Sequence, residues 1–261
     1  MVSTPPHSCI ARTDAAGLDN VSGGRAILGI GASGPQVIEG WHGLPYVKPL
    51  GRIREIVDLV RRALRREVLS NDGIIKIPLP EGGGTGLGKP LKILNHPERS
   101  TVPIYIAALG KKSVASAAEI ADGWLPFLYA PERAGLVWGD ALAAGKAKRS
   151  ADLGPLEIAA GGMVAVGDDA RGKNFYNNLV SEYGFAEEAE KIQDLYLAGN
   201  KKDAEALVPL ELLEMCNLVG PESYVKERIA AFKESGVTNL NITPVAQDPA
   251  ALIGRLKEWI G

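Results

Sequence analysis

Residues 22–34 read Ser-Gly-Gly-Arg-Ala-Ile-Leu-Gly-Ile-Gly-Ala-Ser-Gly, a glycine-rich turn around a short apolar run. The apolar run predicts a strand over residues 26–31. Gly29, Gly31 and Gly34 have the G-x-G-x-x-G spacing of dinucleotide-binding turns. In such turns the glycine loop opens a helix whose N-terminus receives a pyrophosphate, and a strand ending in an acidic residue follows about 20 residues later.

The residues after this loop argue against a dinucleotide-binding turn. Proline or glycine occupies positions 35, 40, 43 and 45, and this pattern predicts no regular helix before about Lys48. The nearest acidic candidate, Glu55, lies within a helical pattern rather than at the end of a strand. We therefore predict that the glycine loop ends some other parallel strand and faces a cofactor.

Length and composition allow one α/β barrel. The chain has 261 residues, a mass of 27.6 kDa, a net charge of −2 and a pI near 6.0, and single barrels commonly occupy about 250 residues. Basic residues are scattered, which argues against a nucleic-acid partner. No apolar run of about 18 residues is present, so we expect no membrane span, and residues 1–12 lack the apolar region of a secretory signal.

Cysteine usage points to a reducing compartment. Cys9 and Cys216 provide neither a metal-ligand spacing nor a disulfide framework. We expect a cytoplasmic protein without a metal site.

Strand-like and helix-like segments alternate along the chain, which predicts parallel β/α architecture. About five strands are readable, fewer than the eight of a closed barrel. Residues 70–102 form a Gly/Pro-rich insertion that is too long for a simple connection and is typical of a functional loop. The predicted strands cover residues 26–31, 103–109, 124–129, 157–166 and 237–242. The predicted helices cover residues 48–67, 111–121, 131–148, 186–197, 202–207, 221–235 and 249–260.

Two further loops are candidate anion sites. Residues 83–89 nearly match a phosphate-binding P-loop, but Pro90 stands where the magnesium-binding hydroxyl belongs, so a flexible loop tip is favoured. Residues 109–113 (Leu-Gly-Lys-Lys-Ser) join the end of a strand to the start of a helix. Backbone N–H groups and two lysines there are typical of an anion site, and an ordinary βα turn with solvated lysines is the alternative.

Trp41 and His42 lie just beyond the first glycine loop. An imidazole can donate a proton near neutral pH, so His42 is a candidate catalytic residue, although a packed histidine is commoner. No other nucleophile, metal set or catalytic motif is readable in the sequence. Chemistry carried by a bound organic cofactor is therefore favoured.

Several segments resemble the luciferase-like monooxygenase superfamily. Residues 18–25 leading into 28–31 carry this resemblance. Further segments resemble the actinobacterial branch of this superfamily that depends on coenzyme F-420 (8-hydroxy-5-deazaflavin). These cover residues 33–37, 39–43, 48–50, 118–126, 190–196 and 218–221.

The resemblance implies a TIM-type (β/α)8 barrel, as one domain over residues 1–261, that transfers a hydride between coenzyme F-420 and an unidentified small organic substrate. It places Gly31, Ala32 and Ser33 on the deazaflavin side of a cleft and Trp41 and His42 on the substrate side. It assigns binding of the cofactor phosphate to four residues after the next strand, namely Ala108, Leu109, Gly110 and Lys111.

The chain departs from the family pattern in two places. The family has a first strand and two β/α units before the segment matching residues 18–24, and a helical segment near residue 170, so we expect an incomplete barrel with an internal deletion. Exposed strand edges would favour a homo-oligomer or pairing with an intact homologue. The superfamily also uses FMN, so an FMN-dependent monooxygenase and a non-catalytic remnant remain alternatives.

Overall fold

Short parallel strands alternate with helices, as the sequence pattern predicted. The computed structural model describes residues 2–3, 8–166 and 177–260, with side-chain surroundings for residues 13–164 and 179–260. The chain divides into two compact units, Met1–Leu125 with Leu142–Leu156, and Pro126–Ala141 with Glu157–Gly261. The expected deletion near residue 170 lies outside the described residues. The prediction of one domain over residues 1–261 stays a prediction.

The first unit carries a parallel sheet in the order β1-β2-β5-β6 and a small antiparallel hairpin, β3-β4. Its elements are β1 (Val2–Ser3), α1 (Ser8–Ser22), β2 (Leu28–Gly31), α2 (Pro35–Gly40), α3 (Pro49–Leu64), β3 (Asn71–Asp72), β4 (Lys76–Ile77), β5 (Ile104–Ala107), α4 (Lys111–Ile120), β6 (Gly123–Leu125) and a 3-10 turn at Ala151–Leu153.

The second unit pairs β7 with β10 and places β8 between β11 and β9, all in parallel. Helix α5 is divided between the two units. The elements from α5 onward are α5 (Pro131–Lys146), β7 (Glu157–Ala160), β8 (Met163–Val166), α6 (Asn177–Glu182), α7 (Ala186–Leu197), α8 (Lys201–Ala206), α9 (Leu210–Cys216), β9 (Leu218–Gly220), α10 (Glu222–Glu234), β10 (Asn239–Leu240), β11 (Thr243–Pro244) and α11 (Pro249–Ile260).

Helix α3 forms because its apolar residues recur at helical spacing while arginines occupy the opposite face. Pro49 stands at its first turn, where the missing N–H costs nothing. On the exposed side, Arg54 donates two hydrogen bonds to the carboxylate of Glu119 on α4, at 2.9 and 2.6 Å. The buried residues of this helix are Ile53, Ile56, Val57, Leu59, Val60, Ala63 and Leu64.

The prediction that no helix precedes Lys48 is wrong. Helix α2 begins directly after the glycine loop, with Gly34 as its N-cap and Pro35 in its first turn. Proline has its φ fixed near the helical value and lacks an N–H that the first turn would leave unpaired anyway. Pro35 therefore starts a helix here, although the sequence pattern was interpreted as an interruption.

The predicted strand over residues 157–166 is two strands, because Gly161 and Gly162 interrupt it. Gly161 has a φ of +153°, and a Cβ there would collide with the carbonyl oxygen of Asn241. A Cβ on Gly162 would lie 2.5 Å from the carbonyl oxygen of Cys216. The close backbone approach thus divides β7 from β8 at residues that only glycine can occupy.

Among the described helices, none is long and apolar enough to cross a membrane. The described residues also contain no group of three or more His, Cys, Asp or Glu side chains that could hold a metal ion.

Candidate functional site

The two loops predicted to hold a cofactor follow neighbouring parallel strands. β2 pairs with β5, and Gly31 lies opposite Ala107 at the last position of the pairing. Because parallel strands end at the same edge of a sheet, residues 31–33 and residues 108–111 leave the sheet side by side. The structure therefore brings together all seven predicted cofactor residues at the carboxyl edge of β2 and β5.

The loop after β2 is held in an unusual backbone conformation. Ser33 has a φ of +57°, in the left-handed region that non-glycine residues rarely adopt. The hydroxyl of Tyr46 donates a hydrogen bond to the carbonyl oxygen of Ser33 at 3.1 Å, and the N–H of Tyr46 donates to the carboxylate of Glu39 at 3.1 Å. Through these contacts Tyr46 is tied to the loop after β2 and to helix α2.

The loop after β5 is held by a hydrogen bond from a buried tryptophan. The indole N–H of Trp124 donates to the carbonyl oxygen of Ala108 at 2.9 Å, and Trp124 itself is fully buried. Gly110 has an extended backbone and is the N-cap of α4. The first helical hydrogen bond runs from the Val114 N–H to the Gly110 carbonyl at 2.9 Å, so the N–H groups of residues 111–113 precede it. A helix start of this kind attracts anions.

Trp41 and His42 follow helix α2 directly. Both backbone N–H groups donate to the carbonyl oxygen of Val37, at 3.0 and 3.3 Å. Trp41 is 85% exposed and His42 is half-buried. Their placement on the substrate side stays a prediction.

A cavity of about 40 Å³, partly open to solvent, lies beside the end of β2. This cavity was not predicted from the sequence, and neither Tyr46 nor Arg52 is among the predicted site residues. The signal available in the sequence was the proline-flanked segment 44–49 immediately before a helix. The cavity is lined by Ala32, Ile38, Leu44, Pro45, Tyr46, Val47, Pro49 and Arg52.

Glu55, the acidic candidate weighed in the dinucleotide hypothesis, holds a loop instead. Its carboxylate accepts hydrogen bonds from the backbone N–H groups of Ile74 and Ile75, at 2.7 and 2.8 Å, and from the Asn71 side chain at 3.0 Å. Burial raises the pKa of Glu55, but these hydrogen bonds together lower it below its usual value. The carboxylate thus fastens the turn of the β3-β4 hairpin to α3.

The Gly/Pro-rich insertion is fastened at its far end by α1. Asn20 accepts a hydrogen bond from the Glu98 N–H at 2.7 Å and donates to the His96 carbonyl at 2.8 Å. Beside it, the fully buried carboxylate of Asp19 pairs with Arg99. The P-loop-like residues 83–89 lie in the exposed part of this insertion, with no strand directly before them and no helix directly after them.

Two comparisons identify the family. The sequence profile of the luciferase-like monooxygenase family matches residues 1–239. A Mycobacterium tuberculosis protein named as a coenzyme F-420-dependent oxidoreductase is 38% identical over 265 residues, which is 90% of this chain and 76% of that protein. The chain belongs to the luciferase-like monooxygenase family. The resemblance stated from the sequence is confirmed, and with it the prediction that this luciferase-like chain is an oxidoreductase.

Solved structures give the fold of this luciferase-like chain. The coenzyme F-420-dependent tetrahydromethanopterin reductase of Methanopyrus kandleri matches with a TM-score of 0.79 at 21% identity, over 100% of this chain and 80% of that one. The oxygenating constituent of 3,6-diketocamphane monooxygenase from Pseudomonas putida, in complex with FMN, matches with a TM-score of 0.53 at 21% identity, over 90% of this chain and 69% of that one. The predicted α/β fold of the luciferase-like barrel type is confirmed, and neither match by itself selects a cofactor for this chain.

Proposed function

We propose that this protein transfers a hydride between coenzyme F-420 and a small organic substrate. The observation that carries the proposal is the 38% identity to a protein named for that cofactor, over 90% of this chain. The two adjacent strand-end loops support it, because they offer both an anion site and a wall of small residues at one edge of the sheet.

The residues present fit the chemistry of a phosphate-bearing deazaflavin. Gly31 has no side chain, and Ala32 and Ala108 carry only methyl groups beside the strand ends, which suits a flat ring. The backbone N–H groups of residues 111–113 and the ammonium of Lys111 suit a phosphate. When bound, the deazaflavin supplies hydride transfer at its C5 atom.

On the substrate side, we propose that Trp41 forms a wall and that His42 donates a proton to the substrate. A proton donor acts on rate rather than on cofactor affinity. His42→Gln would therefore lower kcat while leaving the Kd for coenzyme F-420 unchanged. A variant with unchanged kcat would contradict this role.

Titration of the purified chain with coenzyme F-420 and, side by side, with FMN tests the proposed cofactor. We expect saturable binding of coenzyme F-420 by fluorescence or calorimetry and much weaker binding of FMN. Tighter binding of FMN would favour the FMN-dependent monooxygenase. Binding of neither cofactor would overturn the proposal and favour a non-catalytic remnant or partner subunit.

Lys111→Ala is expected to weaken coenzyme F-420 binding about tenfold, because one charge-assisted contact to a phosphate contributes about 1.4 kcal/mol or more. Lys112→Ala is the matched control, since this exposed lysine is the next residue of the same first turn. The effect of Lys111→Ala should shrink as salt concentration rises. Equal effects of the two substitutions would contradict the assignment of Lys111.

We also propose that this chain associates with a protein partner, which is either a second copy of the chain or an intact homologue. Light scattering of the purified chain and of a co-expressed pair tests it. A monomer in both samples that binds cofactor would overturn this proposal.

A further inference from the structure

The cavity beside β2 has apolar walls and a single charged group. Ile38 is its buried floor, at 3% exposure, and Leu44, Val47 and Pro49 are among its apolar walls. Arg52 is the only charged side chain among the residues that line the cavity. A ligand that fills this space must therefore combine a hydrocarbon part with a group that suits a guanidinium.

Arg52 is oriented by one backbone hydrogen bond and forms no direct ion pair with the described residues. Its Nε donates to the carbonyl oxygen of Val47 at 3.0 Å, which fixes one edge of the guanidinium. Within the described residues, its Nη groups make no hydrogen bond to the protein and the side chain forms no ion pair within 4.0 Å. The Glu55 carboxylate interacts with Arg52 electrostatically, without direct contact, and its oxygens accept hydrogen bonds from the hairpin N–H groups.

The cavity adjoins the predicted cofactor loop. Ala32, one of the lining residues, directly follows β2, and Ser33 next to it is held by the Tyr46 hydroxyl. Tyr46 thus contributes to the cavity wall and also supports the loop. The same segment that closes the cavity therefore positions the loop predicted to face the deazaflavin.

We propose that this cavity binds a small apolar carboxylic acid, with its carboxylate on the Nη groups of Arg52 and its hydrocarbon part against the apolar walls. A guanidinium presents two parallel N–H donors that match a carboxylate, and the rest of the cavity favours a ligand without further charge. As the substrate class of the enzyme, this assignment rests on the proposed function.

Titration of the full chain with hexanoate, in the absence of any cofactor, tests the site by calorimetry and by NMR shifts. We expect a Kd on the order of 1 mM. Arg52→Met should weaken binding at least tenfold, and Arg52→Lys should retain part of the affinity because it keeps the charge. 1-Hexanol, which has the same chain without the charge, should bind at least tenfold more weakly than hexanoate.

Arg65→Met is the matched control, because it removes the same charge at the other end of α3, roughly 20 Å away by helical rise. It should leave hexanoate affinity unchanged. Equal binding of hexanoate to the wild type and to Arg52→Met would overturn the proposal, as would equal affinity for inorganic phosphate, which would indicate a general anion site. Since no cofactor is present, failure here is distinguishable from failure to bind coenzyme F-420.

Discussion

Arg99→Met is expected to lower the free energy of unfolding by about 3 kcal/mol, because it leaves the buried carboxylate of Asp19 without its partner. Arg99 donates to both carboxylate oxygens, at 3.0 and 2.5 Å, and Asp19 is fully buried. Arg99 also donates to the carbonyl oxygen of Ala26, at 2.9 Å. The value stands at the low end for buried ion pairs, since the Arg99 side chain is 34% exposed. Urea denaturation at pH 7 measures it.

The matched control is Arg65→Met. Arg65 pairs with Glu67 at 2.7 Å, but their side chains are 45% and 40% exposed. Exposed pairs contribute about 0–1 kcal/mol, so this substitution should change stability little. Similar losses in Arg65→Met and Arg99→Met would contradict the importance assigned to the buried pair.

Acidification should reduce the difference between Arg99→Met and the wild type. The hydrogen bonds from Arg99 hold the pKa of Asp19 below its usual value, although burial acts in the opposite direction. A carboxyl with a depressed folded pKa stabilises above its unfolded pKa, about 3.9, and this stabilisation is lost as pH falls through the folded pKa. In Arg99→Met, burial alone raises the pKa of Asp19, so protonation relieves the variant. Denaturation curves at pH 7, 5, 4 and 3 should show the gap closing, and a constant gap would refute this account.

Gly145→Ala is expected to destabilise the protein by about 3 kcal/mol, because α5 crosses α4 at this glycine in close contact. A Cβ there would collide with the carbonyl oxygen of Ala115 and lie 2.6 Å from the Cβ of Ala118. The colliding atoms belong to a helix backbone and to its first side-chain carbon, so neither can rotate away. Thermal or urea unfolding measures the loss.

Gly139→Ala in the same helix is the control. No atom lies within 4 Å of a Cβ at that position. Alanine favours the helix over glycine by up to about 1 kcal/mol, so Gly139→Ala should leave stability unchanged or raise it. Opposite signs for the two substitutions are the decisive result, and equal small effects would show that the helices separate without cost.

Local pattern predicted many elements correctly. Helices α7 and α11 begin and end at the predicted residues, 186–197 and 249–260, since their periodicity and flanking residues are both local signals. The break at Gly161 and Gly162 could not be predicted from the local sequence. Gly161 and Gly162 divide a predicted strand because the backbone of residues 216 and 241 approaches them closely, and no local pattern reports such an approach.

For the candidate site, the sequence indicated two loops, and the strand pairing places both at one edge of the sheet. Residues 31–33 and 108–111 each follow an apolar run, and parallel strands that pair must end at a common edge. The cavity residues Tyr46 and Arg52 were missed because their importance depends on contacts with Ser33 and Val47. A tyrosine after a proline and an arginine on a helix are compatible with many surroundings.

The sequence alone therefore determined the parallel β/α class, the family and the loops at the sheet edge, because periodicity, glycine position and motif similarity are properties of neighbouring residues. Only the tertiary structure decided which polar groups meet. Asp19 and Arg99 are 80 residues apart in the chain, and the orientation of Arg52 toward the cavity depends on how the segment before α3 folds back. Such pairings are selected by the packing of whole elements. A polar side chain is buried at low cost only where a partner replaces its hydrogen bonds to water, and here the partner comes from a distant segment.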